Sequence, residues 1–417
     1  MKTKKALVVG GGIIGMCSAY FLNKNGFEVT VVDKGDFQHG CSHGNAGMVV
    51  PSHFVPLAAP GVIRQGLRWM FNPKSPFHIS FHLNRDMISW IWKFYLAANK
   101  KHVARSAPLL SWFNLTSKLL YEEMAIEESL EFGLQKKGLL MHCKTNKVLN
   151  EEAALVATAR ELGLQAEVLS RDEAEKLDPG VRLDTAGAVY YAMDAFLTPQ
   201  LLMTALYKTL NSRGVSFVPF SQITSFSKKD DKIISINTGS GSFVADEYIL
   251  ATGSWSGVLA RQLSVNLPMM AGKGYSVLLP QPKACPNICS ILTEARVAVT
   301  PMETGLSFAG TLELGEVNDH VNKKRLSGIF HSIPQYFPEF EVADFEELPV
   351  WTGLRPCSPD GLPYIGRPNN FKNLIFATGH AMMGLSLGPA TGYLVAQIAG
   401  NEDMERDISL LHPSRYD

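Results

Sequence analysis

The chain has 417 residues, 46% of them hydrophobic and 19% charged, with 39 Lys and Arg balancing 39 Asp and Glu. That balance excludes the broad basic footprint of a nucleic-acid-binding protein, and the apolar fraction excludes a disordered chain. At about 150 residues per domain the length suits two or three domains, a substantial enzyme rather than a small binding module.

In chain order, Lys5–Val9 reads as a short buried strand and 13–22 as a helix stopped by Asn25-Gly26. Glu28–Val32, β-branched after its glutamate, is a second strand. Segment 41–76 is rich in Gly, Pro, His and Asn and is predicted as loop. Helices are predicted at 87–100 and 106–131, and a β-rich middle begins at Leu134, interrupted by helices near 150–162, Arg171–Leu177 and Pro199–Ser212. Strands follow at 215–218, Lys232–Thr238 and 242–251, the last opening a second glycine turn, Ala251-Thr252-Gly253. Segment 267–312 alternates as an antiparallel sheet does, and a helix is predicted near 323–336. The chain closes with strand Leu374–Thr378, a turn at Gly379 and a helix over 386–399.

Lys2, Lys4 and Lys5 before an uncharged run imitate a secretory leader, but Gly10, Gly11, Gly12 and Gly15 are poor material for one. The six cysteines are scattered without a CxxC pair, so reduced thiols in a cytoplasmic protein are expected, and no metal site. No apolar run is long enough to span a bilayer. Trp69, Trp90, Trp92 and Trp112 are interleaved with Arg64, Arg68, Lys74, Lys93, Lys100 and Lys101. That mixture suits peripheral contact with the inner face of a membrane. The plainer reading, a pair of core-facing helices with a solvated basic side, is preferred.

The sharpest motif is Gly10-x-Gly12-x-x-Gly15, directly after a strand and opening a helix. Gly10 permits the tight turn, Gly12 admits a pyrophosphate to the backbone, and Gly15 lets helix pack on strand. The helix start offers unpaired N–H groups to the phosphates. Asp33, at the end of the second strand, is set to accept from a ribose and disfavours a 2′-phosphate. This unit alone does not separate NAD from FAD.

With the loop Ser42-His43-Gly44-Asn45-Ala46-Gly47-Met48, the segments Ala58-Ala59-Pro60-Gly61 and Lys273-Gly274-Tyr275-Ser276, and Trp351-Thr352-Gly353-Leu354-Arg355-Pro356, the chain resembles the FAD-dependent D-amino-acid oxidase/dehydrogenase superfamily. Ser358-Pro359-Asp360-Gly361 and Thr378-Gly379-His380 complete a resemblance that spans nearly the whole chain. It implies an α/β fold: a Rossmann-like FAD-binding domain from 1–50, 199–264 and 350–417, interleaved with an antiparallel β-sheet substrate domain from 51–198 and 265–349. It further implies that Gly10, Gly12, Ile13, Ile14 and Gly15 cradle the FAD pyrophosphate, and that Asp33 with Lys34 meets the adenosine ribose. Ser42, Asn45, Ala46, Gly47 and Met48 match the loop past the flavin ring, Ile223 the adenine contact, and Ala251 and Gly253 the second turn near the diphosphate. Gly379, Gly384, Leu385, Gly388 and Pro389 match the C-terminal helix that caps the flavin carbonyl edge, where backbone amides stabilise negative charge on reduced flavin.

On the substrate side the resemblance implies that Arg355 anchors the carboxylate, a task guanidinium suits through two parallel N–H bonds. The competing reading is a structural pair with Asp360. Tyr275 is either a hydrogen-bond donor to substrate or a strand packing residue, and His380 sits beside the flavin or bonds backbone. The dehydrogenase relatives carry an aromatic residue near the position of His53, a departure in this pocket wall. Gly353 stands where sarcosine-oxidase relatives attach flavin through cysteine, so the flavin is expected to be non-covalent. The chemistry implied is oxidative deamination of a D-amino acid by hydride transfer from Cα to flavin N5, chemistry that needs orientation more than a strong base. The alternative within the fold is a D-hydroxyproline or other cyclic or N-alkyl amino-acid dehydrogenase. An NAD-dependent dehydrogenase leaves the C-terminal glycine turn without a role, and a subunit that only channels electrons leaves Arg355 without one. The resemblance leans toward a quinone or other carrier as electron acceptor and leaves oligomeric state open.

Overall fold

The computed structural model describes residues 3–64, 66, 75–79, 85–315 and 317–417. Strand Lys5–Val9 lies inside a six-stranded sheet ordered Tyr364–Gly366, Leu374–Thr378, Glu247–Leu250, Lys5–Val9, Glu28–Val32, Ser216–Val218. Every pairing is parallel except that of the Tyr364–Gly366 edge. Both faces are covered, which is why the strands read as unbroken apolar runs. Ala6 and Val8 pack on one side with helices Ile13–Lys24, Pro199–Ser212 and Gly388–Gly400. Leu7 and Val9 pack on the other with Ile233, Ile236 and Ala260. The parallel strands end together at Gly10, Ala251 and Gly379, the edge at which open α/β sheets bind ligands.

The nine-stranded sheet runs Val350–Cys357, Met270–Leu279, Gly305–Gly315, Val297–Met302, Cys289–Leu292, Leu139–Cys143, Gly187–Tyr191, Ala166–Ser170, with Phe77–Ile79 paired to Gly305–Gly315. Its pairings are antiparallel apart from Leu139–Cys143 with Cys289–Leu292 and Phe77–Ile79 with Gly305–Gly315. Val350–Cys357, which the sequence groups with the dinucleotide-binding segments, lies along Met270–Leu279 and sets Arg355 opposite Gly272. A bulge opposite Gly274 throws Thr311 into the left-handed region at φ 67°.

Several boundaries differ from the sequence reading. The helix predicted at 106–131 starts at Lys100, because the Asn99 side chain accepts from His102 N–H and caps it. Segment 41–76 holds a short strand, Met48–Val49, paired with Ala195–Phe196. Ile223–Lys229 is a strand that sequence reading missed, since most of its residues are exposed and its last two are lysines. Trp90 is buried and donates to the Cys357 carbonyl, whereas Trp92 is 60% exposed. Trp69, Arg68 and Lys74 lie outside the described residues. All six cysteines are unpaired, and among the described residues no helix is long and apolar enough to cross a membrane.

Candidate active site

A cavity of about 1810 Å³ joins the carboxyl edge of the six-stranded sheet to one face of the nine-stranded sheet. That exceeds the roughly 300–1,000 Å³ of an ordinary small-molecule pocket and suits a dinucleotide plus a small substrate.

Its dinucleotide end is shaped by missing side chains. A Cβ on Gly10, at φ 108°, would meet the Ala251 carbonyl oxygen at 2.4 Å, and one on Gly15 would meet the Gly10 carbonyl oxygen at 1.7 Å. Helix Ile13–Lys24 can therefore begin tight against the strand, with its N-terminus on the cavity. Ser42 Oγ accepts from Ile13 N–H at 2.9 Å and keeps its own proton for an anion. Asp33 accepts from Gly11 N–H through Oδ2 and from Gly35 N–H through Oδ1, both at 2.6 Å, so its carboxylate holds the second turn and retains lone pairs for ribose hydroxyls. Lys34 Nζ lies 3.3 Å from the ring centroid of Trp255, an adenosine-side neighbour that the sequence did not single out.

Of the residues expected to hold cofactor, Gly10, Gly12, Ile13, Ile14, Asp33, Lys34, Ser42, Asn45, Ala46, Met48, Ile223, Ala251, Gly253, Gly384 and Leu385 line the cavity together. Five do not. Gly15 and Gly388 serve packing: a Cβ on Gly388 would press Ile13 Cγ1 at 2.9 Å. Gly47, at φ 75°, turns the loop against the Leu197 carbonyl, and Gly379, at φ 81°, turns it against Tyr364. Pro389 starts helix Gly388–Gly400 behind the lining turn. The glycine cradle, the open helix start and the carboxylate at the second strand's end fit the pyrophosphate and the adenosine ribose of FAD.

The sequence profile of the family described as FAD dependent oxidoreductase (DAO) matches residues 5–398. The chain belongs to this family. The oxidoreductase is 29% identical over 409 residues to a D-amino acid dehydrogenase of Helicobacter pylori, 98% of each chain being covered. It is 30% identical over 424 residues to one of Granulibacter bethesdensis, covering 99% of each. Its fold is shared with glycine oxidase from Geobacillus kaustophilus, at a TM-score of 0.80 and 22% identity over the whole of both chains. L-Proline dehydrogenase from P. horikoshii, at a TM-score of 0.75 and 18% identity, covers 100% of this chain and 98% of its own.

Arg355 reaches the cavity from strand Val350–Cys357. Its Nη1–H donates to the Thr311 carbonyl at 2.5 Å, and its guanidinium lies where a Cβ on Gly274 would be, at 2.4 Å. No carboxylate among the described residues pairs with it, and burial pulls it below the ordinary arginine range. Asp360, the competing partner, is taken by Arg415 in two hydrogen bonds of 2.7 and 2.9 Å.

Tyr275 lines the same wall, but its one proton goes to Glu313 Oε1 and its oxygen accepts from Asn322 N–H. In this arrangement the hydroxyl expected in one reading as a substrate donor is engaged by Glu313. His380 is buried, lines the cavity and contacts Thr391 Oγ1 through Nε2 at 3.0 Å. Thr391 gives its own proton to the Leu387 carbonyl, so Nε2 must be the donor. Burial holds this imidazole down to about 3, and with Nε2 committed to Thr391 its Nδ1 is enclosed without a partner among the described residues.

Proposed function

We propose that this oxidoreductase oxidises D-amino acids at the C–N bond, giving an imine that water converts to a 2-oxo acid and ammonia. The D-amino acid dehydrogenase relatives, similar over nearly their full length, support the substrate class. The carrying observation is Arg355, a partly buried cation on the cavity wall without an internal anion among the described residues. A charge drawn partly out of water gains from pairing, and an amino-acid carboxylate supplies the partner that the chain withholds. Bound FAD supplies the acceptor for the hydride that leaves Cα. Around it Gly10, Gly12, Ile13 and Ile14 hold the pyrophosphate, Asp33 and Lys34 the adenosine, and the backbone of Gly384 and Leu385 the flavin carbonyl edge. In this reading 1–50, 199–264 and 358–417 form the FAD-binding part, and the nine-stranded sheet with its helices forms the substrate part.

The reading extends to a quinone or similar carrier taken from a membrane surface. Ile88, Trp92, Tyr95 and Leu96 form one face of helix Arg85–Ala97 and are each more than half exposed. Trp90, Ile91 and Phe94 of the same helix line the cavity. An apolar surface on a helix that also lines the cavity suits an acceptor that arrives from lipid.

Anaerobic mixing of the holoenzyme with single D-amino acids and with cis-4-hydroxy-D-proline tests the substrate claim. Flavin bleaching by D-amino acids is expected, and Arg355→Ala should weaken apparent substrate affinity about 100-fold. Bleaching by cyclic amines alone would shift the reading to an imino-acid dehydrogenase, and no bleaching at all would overturn it.

A further inference from the structure

Ser52, His53 and Asp194 form a chain of hydrogen bonds in the cavity wall that the roles above leave unused. Asp194, buried, accepts from the Ser52 backbone N–H at 3.0 Å and from the Ser52 hydroxyl at 2.5 Å. The pairing of Met48–Val49 with Ala195–Phe196 brings these distant segments together. A serine hydroxyl has one proton. With that proton given to Asp194, the 3.1 Å contact between Ser52 Oγ and His53 Nδ1 requires a proton on Nδ1. Nε2 is then a bare lone pair. It has no partner among the described residues and is not among their enclosed polar atoms, and His53 lines the cavity, so the lone pair opens on that space. The wall is shared with the carboxylate anchor. Arg296, whose charge acts on His53, sets its carbonyl against Gly310, and the next residue, Thr311, gives its carbonyl to Arg355.

We propose that His53, oriented by Ser52 and Asp194, receives the substrate's amino proton: Nε2 accepts a hydrogen bond from the ammonium and takes that proton while Arg355 holds the carboxylate. The inference rests on the amino-acid reading above. An amino acid arrives as an ammonium, and a C=N bond forms only when nitrogen has a lone pair. The N–H bond breaks with its electrons left on nitrogen and its proton on Nε2. The Cα–H pair then leaves as hydride to the FAD on which this family depends, the nitrogen pair closes the imine, and the imidazolium returns its proton to water.

The groups facing this chain are Arg296 at His53, and Lys118, Tyr190, Tyr191 and Cys289 around Asp194. Burial, then Arg296, keeps the imidazole neutral down to about 4, and burial lifts the Asp194 carboxyl to about 7. The lone pair is therefore free above about pH 7, where Asp194 is ionised and takes the Ser52 proton. A carboxylate arriving at Arg355 adds negative charge to the same cavity and raises the basicity of the imidazole when substrate is present.

The test follows anaerobic flavin reduction in the holoenzyme with D-alanine and cis-4-hydroxy-D-proline across pH. His53→Asn is expected to lower the second-order rate of reduction about 100-fold near neutrality, with the deficit shrinking as pH approaches the amine's own pKa. Ser52→Ala and Asp194→Asn should give smaller deficits of the same pH shape. A deficit equal at every pH overturns the proton role and leaves the amino-acid reading standing. Failure of both compounds and of every other D-amino acid to reduce the wild-type flavin overturns both. NMR of histidine-labelled holoenzyme without substrate gives an independent readout. The Nδ1–H tautomer is expected for His53 and its loss in Ser52→Ala, and an Nε2–H tautomer in the wild type overturns the proposal by itself.

Discussion

At the dinucleotide end of the cavity the chain satisfies its own polar groups. Asp33 takes the N–H groups of Gly11 and Gly35, and Ser42 caps Ile13. At the substrate wall it does not. Arg355 has a carbonyl but no anion, and His53 turns a bare nitrogen into the space. The first end is a backbone mould set by the chain's own hydrogen bonds, whereas in the proposed reading the second holds charge and a lone pair for the substrate. Arg415 and Arg355 show the same contrast: one partly buried arginine has its carboxylate, and the other lines the cavity without one.

The sharpest way to break this comparison is Gly15→Val. Its side chain would start 1.7 Å from the Gly10 carbonyl oxygen, so loss of about 3 kcal/mol or more and of bound flavin is expected, read by thermal unfolding and flavin absorbance. Asp360→Asn should lower stability by about 3 kcal/mol by leaving Arg415 without its anion. Burial alone would raise the Asp360 carboxyl, but the charge and hydrogen bonds of Arg415 reverse this and hold it below the ordinary range. The pair's stabilisation is therefore present above about pH 4 and lost as pH falls through the lowered folded value. Acid unfolding of Asp360→Asn should lack that part of the slope. Gly274→Ala places a methyl on the guanidinium of Arg355, and substrate affinity should fall about 10-fold or more with flavin content unchanged. The smallest effect is expected for Thr311→Gly. It should raise stability by about 1 kcal/mol in thermal unfolding, because a β-branched residue at φ 67° is strained, while the carbonyl that orients Arg355 stays in place.

Much of the dinucleotide end was legible in the chain. Gly10, Gly12, Gly15 and Asp33 lie within one strand–helix–strand unit, where short loops fix geometry through local rules. Arg355, singled out by its frame of Gly353 and Pro356, does line the cavity. Gly47, Gly379 and Gly388 lie off the cavity lining, since an absent Cβ serves close packing as readily as close approach to a ligand.

What the sequence determined by itself was the βαβ unit and its acid, because local backbone chemistry specifies them. What only the tertiary structure decided was which polar groups are already matched. Asp360 was claimed by Arg415 and the Tyr275 proton by Glu313, while Asp194 came to Ser52 across 142 residues of chain. Hydrogen bonds and ion pairs saturate, so a residue's spare capacity depends on neighbours brought in from far along the chain, and no local pattern records them.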